Sequence, residues 1–318
     1  MQFAYRACDM YLSLSRSIWN HLPPSFQLSP IGKLYGRHLH SLVLLRSERQ
    51  QSFGTFFLRN RTEIGLMCRL LNERPQGAHV NLCVLACSKG AELYSILWAI
   101  RSSRPDLKLR VRAVDISQEI LEFARAGVYT PLSRNPSSAM GPDDPTPGKD
   151  VIFNTWRDQN APIFERVTDE ELEMMCVVKD AQVSIREWLK EDITWVVGDA
   201  GTRAVIDAMG PQDMVIANRF LCHMKPENAD RCLQNVAQLV RPGGYLFVSG
   251  VDLDVRARVA QRMGWEPVTE MIREVHDGDP SLLKGWPLEY WGLEPFSQDR
   301  ADWKMRYASV FRLGQPAC

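Results

Sequence analysis

Net charge is absent from this sequence: 38 Lys and Arg offset 38 Asp and Glu. That leaves no global attraction to nucleic acid or to an anionic membrane. Long apolar runs are missing too, so no membrane span is expected. The opening MQFAYRACDMYLSLSRSIW lacks the apolar core of a signal peptide, which makes a cytoplasmic protein the expectation. The eight cysteines form no C-x-x-C pair. Scattered as they are, they read as reduced, mostly buried thiols rather than a disulfide frame or a metal centre. Cys83 and Cys222 stand in strand-like apolar runs. Finally, there is no G-x-G-x-x-G and no Walker sequence, which removes the usual fingerprints of dinucleotide and triphosphate binding.

What is present is a protein of 318 residues, 45% hydrophobic and 24% charged, enough for one large or two modest domains with a substantial core. Charge is unevenly placed. Residues 1–75 hold ten Lys and Arg against four Asp and Glu, so this stretch either faces an acidic partner or presents a solvated basic face. It reads as helical, with an apolar stripe at Tyr11, Leu12, Leu14, Ile18 and Trp19 that Pro23-Pro24 ends, and a second run from Leu39 to Leu45 after Gly36.

The stretch that organises the rest is LCVLACSKGAELYS, Leu82–Ser95. Leu82–Ala86 has the length and texture of a strand buried on both faces. Cys87, Ser88 and Gly90 make a tight turn, small so that a ligand can pack on bare backbone. From Ala91 the apolar residues Leu93, Ile96, Leu97 and Ile100 fall at helical spacing. A second strand, Arg110–Val114, ends in Asp115, about 25 residues beyond the glycine. That is the spacing at which a carboxylate receives both ribose hydroxyls. Ser117 is the expected N-cap and Gly127 the expected stop of the next helix. An adenosine ligand without a phosphate cradle points to S-adenosylmethionine (SAM).

These segments carry a resemblance. ACSKGAELYS resembles the A-C-S-x-G-E-E-x-Y-S signature of the CheR family, bacterial chemoreceptor glutamate methyltransferases that use SAM. Thr55–Asn60 resembles its T-x-F-F-R-[DEN] segment, and AVDISQEILEFARAGVY its second strand and helix. DMVIANRFLCHM resembles its f-D-x-I-f-C-R-N-V-x-I-Y-F strand end, and LVRPGGYLFVSG its hairpin. The resemblance implies an α/β fold: a class I methyltransferase, Rossmann-like sheet, with an N-terminal helical region (1–75) and a catalytic domain (76–318). It also implies a small inserted subdomain (131–192), and residues 251–304 diverge.

The resemblance implies that Thr55, Arg59, Ala86, Ser88, Gly90, Glu92, Asp115, Ile116, Asp199, Ala200 and Asn218 hold the cofactor, and that Arg219 and His223 act at the acceptor. An Arg59 fork grips a methionyl carboxylate bidentately; otherwise Arg59 is a solvated helix residue. Asp199 accepts from adenine, caps the helix through Ile206, or does both. Three departures stand out. Ala91 replaces the first acid of the pair, Asn218-Arg219 reverses the family's order, and His223 stands where the family has tyrosine.

Further along, Val177–Ile185 alternates as one strand and Asp213–Ala217 makes another. Pro226–Val240 reads as a helix, Pro242-Gly243-Gly244 as a turn into the strand Tyr245–Ser249, and Lys304–Leu313 as a closing strand. His276-Asp277-Asp279 carries metal-type chemistry but reads first as a polar turn, and no metal is expected. Trp286, Tyr290 and Trp291 lid a site or fill a core. The acceptor is a protein or a small molecule, with oligomeric state open. Three functions follow: a protein glutamate O-methyltransferase, a SAM enzyme of small-molecule biosynthesis, or a SAM-binding regulatory module.

Overall fold

The computed structural model describes residues 2–27, 29–46, 55–129, 161–179, 182–278 and 294–314. The segment 131–150, Asp279, Trp286, Tyr290 and Trp291 lie outside them. Strands β1 (His79–Leu85), β2 (Lys108–Asp115), β6 (Ile193–Val197), β7 (Gln212–Ile216), β8 (Val240–Phe247), β9 (Glu266–Pro267) and β10 (Val310–Arg312) form one seven-stranded sheet in the order β6-β2-β1-β7-β8-β10-β9. β1 pairs parallel to β2, and β2 to β6. β10 runs antiparallel to β8 and β9. The order reverses beside β1, which is where an open α/β sheet binds its ligand. This is the Rossmann-like α/β sheet that the sequence leads one to expect. Leu82–Leu85 and all of β7 are buried, Gln212 and Asp213 included, as strands in a sheet covered on both faces should be.

The chain forms two compact units, 52–215 and 1–51 with 216–318. The first holds α4 (Arg61–Asn72), α5 (Ala91–Ser103), α6 (Gln118–Ala126), α7 (Asp169–Met175) and α8 (Arg203–Met209). Ser117 caps α6 through its hydroxyl, and Gly127 ends it at φ 60. The Thr168 hydroxyl and Glu171 close a capping box on α7. A small antiparallel sheet, β3-β5-β4, joins Val128–Tyr129 to the hairpin β4 (Cys176–Lys179) and β5 (Gln182–Ile185). The expected single strand over 177–185 is therefore a hairpin. Weak alternation runs through both arms, so the two read as one strand in sequence.

The second unit holds α1 (Gln2–His21), α2 (Pro24–Gln27), α3 (Pro30–Arg46), α9 (Pro226–Ala237), α10 (Leu253–Arg262), α11 (Ile272–Asp277) and α12 (Trp303–Tyr307). Of the α1 stripe only Trp19 is buried, against Leu39; Leu14 and Ile18 are exposed. Gly36 does not interrupt α3. Three further expectations shift here. The helix from Pro226 ends at Ala237, and Pro242-Gly243-Gly244 lies inside β8, where Gly243 donates to Leu313 O (2.6 Å). The closing segment begins in helix α12, which ends at Tyr307, with only Val310–Arg312 as strand. Cys222 sits in a short 3-10 turn rather than a strand.

Arg306 centres a charged network in this unit. It donates to Glu294 Oε1 (2.7 Å) and Asp254 Oδ1 (2.8 Å). From α3, Lys33 reaches Glu294 (3.2 Å) and Arg37 reaches Asp254 (2.8 Å). Nearby, the Asp252 carboxylate caps α10 by accepting from Asp254 N–H (2.8 Å). Burial, and the Asp254 charge after it, push the Asp252 carboxyl up to about 6, against the pull of Arg37 and Arg306. An unfolded Asp titrates near about 3.9. The folded state therefore holds the extra proton, and stability falls as pH rises from about 4 to about 6. Asp252→Asn keeps the capping acceptor without a charge. It should gain about 1–2 kcal/mol at pH 7 and nothing at pH 4, read from thermal melts across that range. An equal gain at both pH values would remove the charge as the cause.

Candidate functional site

The loop after β1 is bent by residues in left-handed conformations: Ala86 at φ 51, Ser88 at φ 52 and Gly90 at φ 83. For Ala and Ser this geometry is strained, and such strain gathers at functional sites. Three bonds hold the loop. Cys87 N–H donates to Val114 O (3.0 Å), Gly90 N–H to Cys87 O (2.9 Å), and Ser88 N–H to Asp115 Oδ2 (2.9 Å). At Gly90 a side chain is excluded by both the positive φ and the packing beneath. A Cβ there would meet the Tyr94 ring at 3.0 Å and Ala124 at 3.3 Å. Tyr94 in turn donates to Ala124 O (2.6 Å), so the signature tyrosine fastens α5 to α6 beneath the loop.

Asp115 ends β2, 6% exposed. Its Oδ2 accepts from Ser88 N–H, and its Oδ1 from Ser117 N–H at 3.1 Å. Burial raises its carboxyl above the ordinary value, while those N–H groups pull it back. Each carboxylate oxygen has a second lone pair, so the side chain is set to receive two hydroxyls without releasing the loop. This is the donor-acceptor pattern that fits the ribose of SAM. Ile116 beside it leaves 47% of its surface exposed, an apolar face at the strand end. Gly198 N–H donates to Asp115 O (2.9 Å), which brings the end of β6 alongside. There Asp199 Oδ1 accepts from Gly201 N–H (2.9 Å), and Ala200 is buried. Asp199 does not cap the next helix, because α8 starts at Arg203 behind Thr202. Glu92, half-buried, occupies the first turn of α5.

Thr55 and Arg59 are both buried. Leu58 N–H donates to the Ser95 hydroxyl (2.8 Å), which donates to Ala91 O (2.7 Å). The signature serine thereby ties the Thr55–Asn60 segment to α5. Phe57 N–H donates to Ile163 O (2.9 Å), and Arg166 to Arg59 O (2.6 Å). The guanidinium groups of Arg59 and Arg166 lie over the Phe56 ring at 5.4 and 4.9 Å. Arg59 thus stands before the Asn60 cap of α4, enclosed, and is not a solvated helix arginine. If it grips a methionyl carboxylate, Arg59→Lys should weaken SAM by about 1 kcal/mol, because an ammonium does not reproduce the fork. Methylthioadenosine, which lacks that carboxylate, should bind both forms alike. Equal losses in a calorimetric comparison would assign Arg59 to folding.

Two residues at this loop escape a reading of the sequence. Tyr129 donates to Lys89 O (2.7 Å) from within a cluster with Phe57, Phe123 and Phe164. Lys89 is 5% exposed, and burial lowers its ammonium to about 8. The G-V-Y ending of the α6 segment hinted at Tyr129. Nothing local announces a buried lysine at the variable position of the signature.

In the other unit, Asn218 is buried and its Oδ1 accepts from Ser249 N–H (2.8 Å). Arg219 follows at φ 63, donating its N–H to Ser249 O (2.9 Å). A Cβ on Gly250 would fall 2.8 Å from Arg219 Cγ, so the glycine makes room for that side chain. His223 closes the 3-10 turn Leu221–His223. His276 is buried, its Nε2 beside Glu294 O (3.0 Å) and its ring edge-on to Tyr307 at 5.0 Å. It packs the core, and among the described residues no group of His, Cys, Asp and Glu is placed to hold a metal. No helix among them is long and apolar enough to cross a membrane.

Two family profiles match the chain. CheR methyltransferase, SAM binding domain, covers residues 54–136, and Methyltransferase domain covers residues 166–248. No curated protein sequence matches. Among solved structures, magnesium protoporphyrin IX methyltransferase from Synechocystis PCC 6803 with bound SAM is similar at 13% identity and TM-score 0.34, over 65% of this chain and 70% of that one. An amino pentose methyltransferase from Micromonospora echinaspora is similar at 13% identity and TM-score 0.31, over 59% and 49%. An O-methyltransferase family protein from Burkholderia thailandensis is similar at 13% identity and TM-score 0.30, over 68% and 52%. The chain thus spans about half the length of the last two.

Proposed function

We propose that this chain, a SAM-dependent methyltransferase with a class I sheet, transfers methyl groups to a carboxylate oxygen of a protein glutamate. The observation that carries the reading is the CheR profile over residues 54–136, which contains the strained loop and Asp115. We assign cofactor binding to Thr55, Arg59, Ala86, Ser88, Gly90, Glu92, Asp115, Ile116, Asp199, Ala200 and Asn218, and acceptor handling to Arg219 and His223. Residues 76–318 are taken as the catalytic domain behind the helical region 1–75.

When bound, SAM supplies an electrophilic methyl group on a positively charged sulfur. The tasks left to the chain are to bind and to align. Asp115, fixed by the Ser88 and Ser117 N–H groups, would accept from the ribose hydroxyls, and Arg59 would grip the methionyl carboxylate. Alignment of an attacking atom with the methyl group is worth roughly 7–11 kcal/mol of barrier. A glutamate acceptor is ionised at neutral pH, its ordinary value being about 4.3, and so needs no base.

A small-molecule acceptor is the second reading, favoured by the Asn218-Arg219 order and by His223. Incubation with methyl-labelled SAM and a cell extract separates the two. Label recovered as base-labile methanol from the protein fraction supports glutamate methylation; base-stable label in a low-mass fraction replaces it with the second reading.

A further inference from the structure

We propose that the 52–215 unit carries a second small-molecule site, at the amino-terminal ends of its parallel strands, which takes a phosphorylated ligand of nucleotide size. An open cavity of about 560 Å³ lies there, lined by His79, Arg101, Lys108, Arg110, Trp188 and Asp192 among others. That volume is within the range of small-molecule sites. Asp115 is seven residues along β2 from Lys108, or roughly 23 Å at strand rise. The cavity is therefore separate from the loop that holds the candidate cofactor residues.

Its cations are ordered by the sheet. Lys108 opens β2 beside His79 of β1, its partner in register. Arg110, two residues on, points to the same face about 7 Å further along. Both side chains are exposed, and neither forms an ion pair among the described residues. The opposite wall is held in place rather than loose. Arg101, from the last turn of α5, donates to Trp188 O and to Glu191 O (2.7 Å). Asp192 sits at φ 55, a left-handed conformation that aspartate tolerates, and its carbonyl accepts from Val111 N–H (3.1 Å).

The chemistry of these groups selects a ligand. Lys108 and Arg110 offer charge-assisted donors to phosphate oxygens. Trp188, half-buried, and the exposed Pro105 offer apolar surface to a ring. The carboxylates of Glu191 and Asp192 accept from hydroxyl or amino donors, which a nucleotide has on its sugar and base. They would repel a continuous run of phosphates, so a nucleic-acid strand fits less well. SAM bears no phosphate and is not the ligand of this cavity.

The test is calorimetry on the full chain saturated with S-adenosylhomocysteine, with ADP as probe at physiological salt. Saturable ADP binding is expected, with competition by pyrophosphate. The double variant Lys108→Gln, Arg110→Gln lies on exposed strand positions. It should weaken ADP roughly tenfold or more, the factor expected for losing charge-assisted bonds, and leave S-adenosylhomocysteine affinity unchanged. Absent ADP binding, or equal binding in the double variant, overturns the proposal. So does binding of oligothymidylate as tight as that of ADP, which would mark an unspecific basic surface. Failure to bind S-adenosylhomocysteine would strike the cofactor assignment alone, since comparing the double variant with the unmodified chain still decides this site.

Discussion

Asp115→Ala should weaken SAM and S-adenosylhomocysteine equally, by about 1–3 kcal/mol, which is the loss expected when hydroxyl donors lose a charged acceptor. In calorimetry that is a roughly ten- to hundredfold rise in Kd. The loss is the same for both ligands because they share the ribose, while the methyl group and sulfur charge in which they differ lie outside that contact. The side chain also fixes Ser88 and Ser117 through their N–H groups, so part of the effect passes through the loop. Asp115→Asn separates the two contributions. Its single carbonyl oxygen satisfies one N–H donor and leaves less acceptor capacity for the ribose, so it should fall between the unmodified chain and the alanine variant. Unchanged affinity in Asp115→Ala, with an unchanged thermal midpoint, would move the ribose contact away from β2.

The first two strands of the sheet were readable because they are short apolar runs followed by a small-residue turn or a capped helix. Leu82–Leu85, the Asp115 end of β2, the Ser117 cap and the Gly127 stop all follow from local chemistry, and the structure places each as the spacing predicts. The misreadings share another cause. Asp199 has the composition of an N-cap, but the turn through Gly201 moves the cap to Thr202 and the helix start three residues on. Pro242-Gly243-Gly244 has the composition of a turn, yet pairing with Leu313 from the far end of the chain draws it into β8. At Gly90 the sequence shows a small-residue turn but not the Tyr94 ring and Ala124 that pack against it.

Burial of charge was the least legible property. Arg59, Lys89 and Arg256 are each at most 9% exposed, although nothing in their neighbours along the chain distinguishes them from surface residues. Arg256 is covered because its guanidinium reaches Val248 O (2.9 Å) and Arg306 O (3.1 Å), carbonyls that only the tertiary fold brings together. A site built from such contacts appears in sequence as isolated motif letters. That is why the candidate residues were recognised through a family pattern rather than through composition.

His223→Phe should remove most of the methyl-transfer rate, by roughly 10²–10⁴-fold if the imidazole takes a proton from the acceptor, while SAM affinity stays within about twofold of the unmodified chain because transition-state and ground-state contacts are distinct. The position is informative because the family has a tyrosine there. A carboxylate acceptor is already ionised at neutral pH and requires only orientation, which a phenol can supply. An amine or hydroxyl acceptor must lose a proton, and free imidazole, titrating near about 6.5, is suited to receive it. The two acceptors therefore predict different rescues. With a carboxylate acceptor His223→Tyr restores the rate, and the pH profile is the same in all active forms. With a protic acceptor His223→Tyr stays inactive, and the rise of activity through neutrality seen in the unmodified chain disappears from the residual rate of His223→Phe. A pH profile identical in the unmodified chain and His223→Phe, with full activity in both, would remove His223 from acceptor handling and leave Arg219 as the acceptor-side candidate.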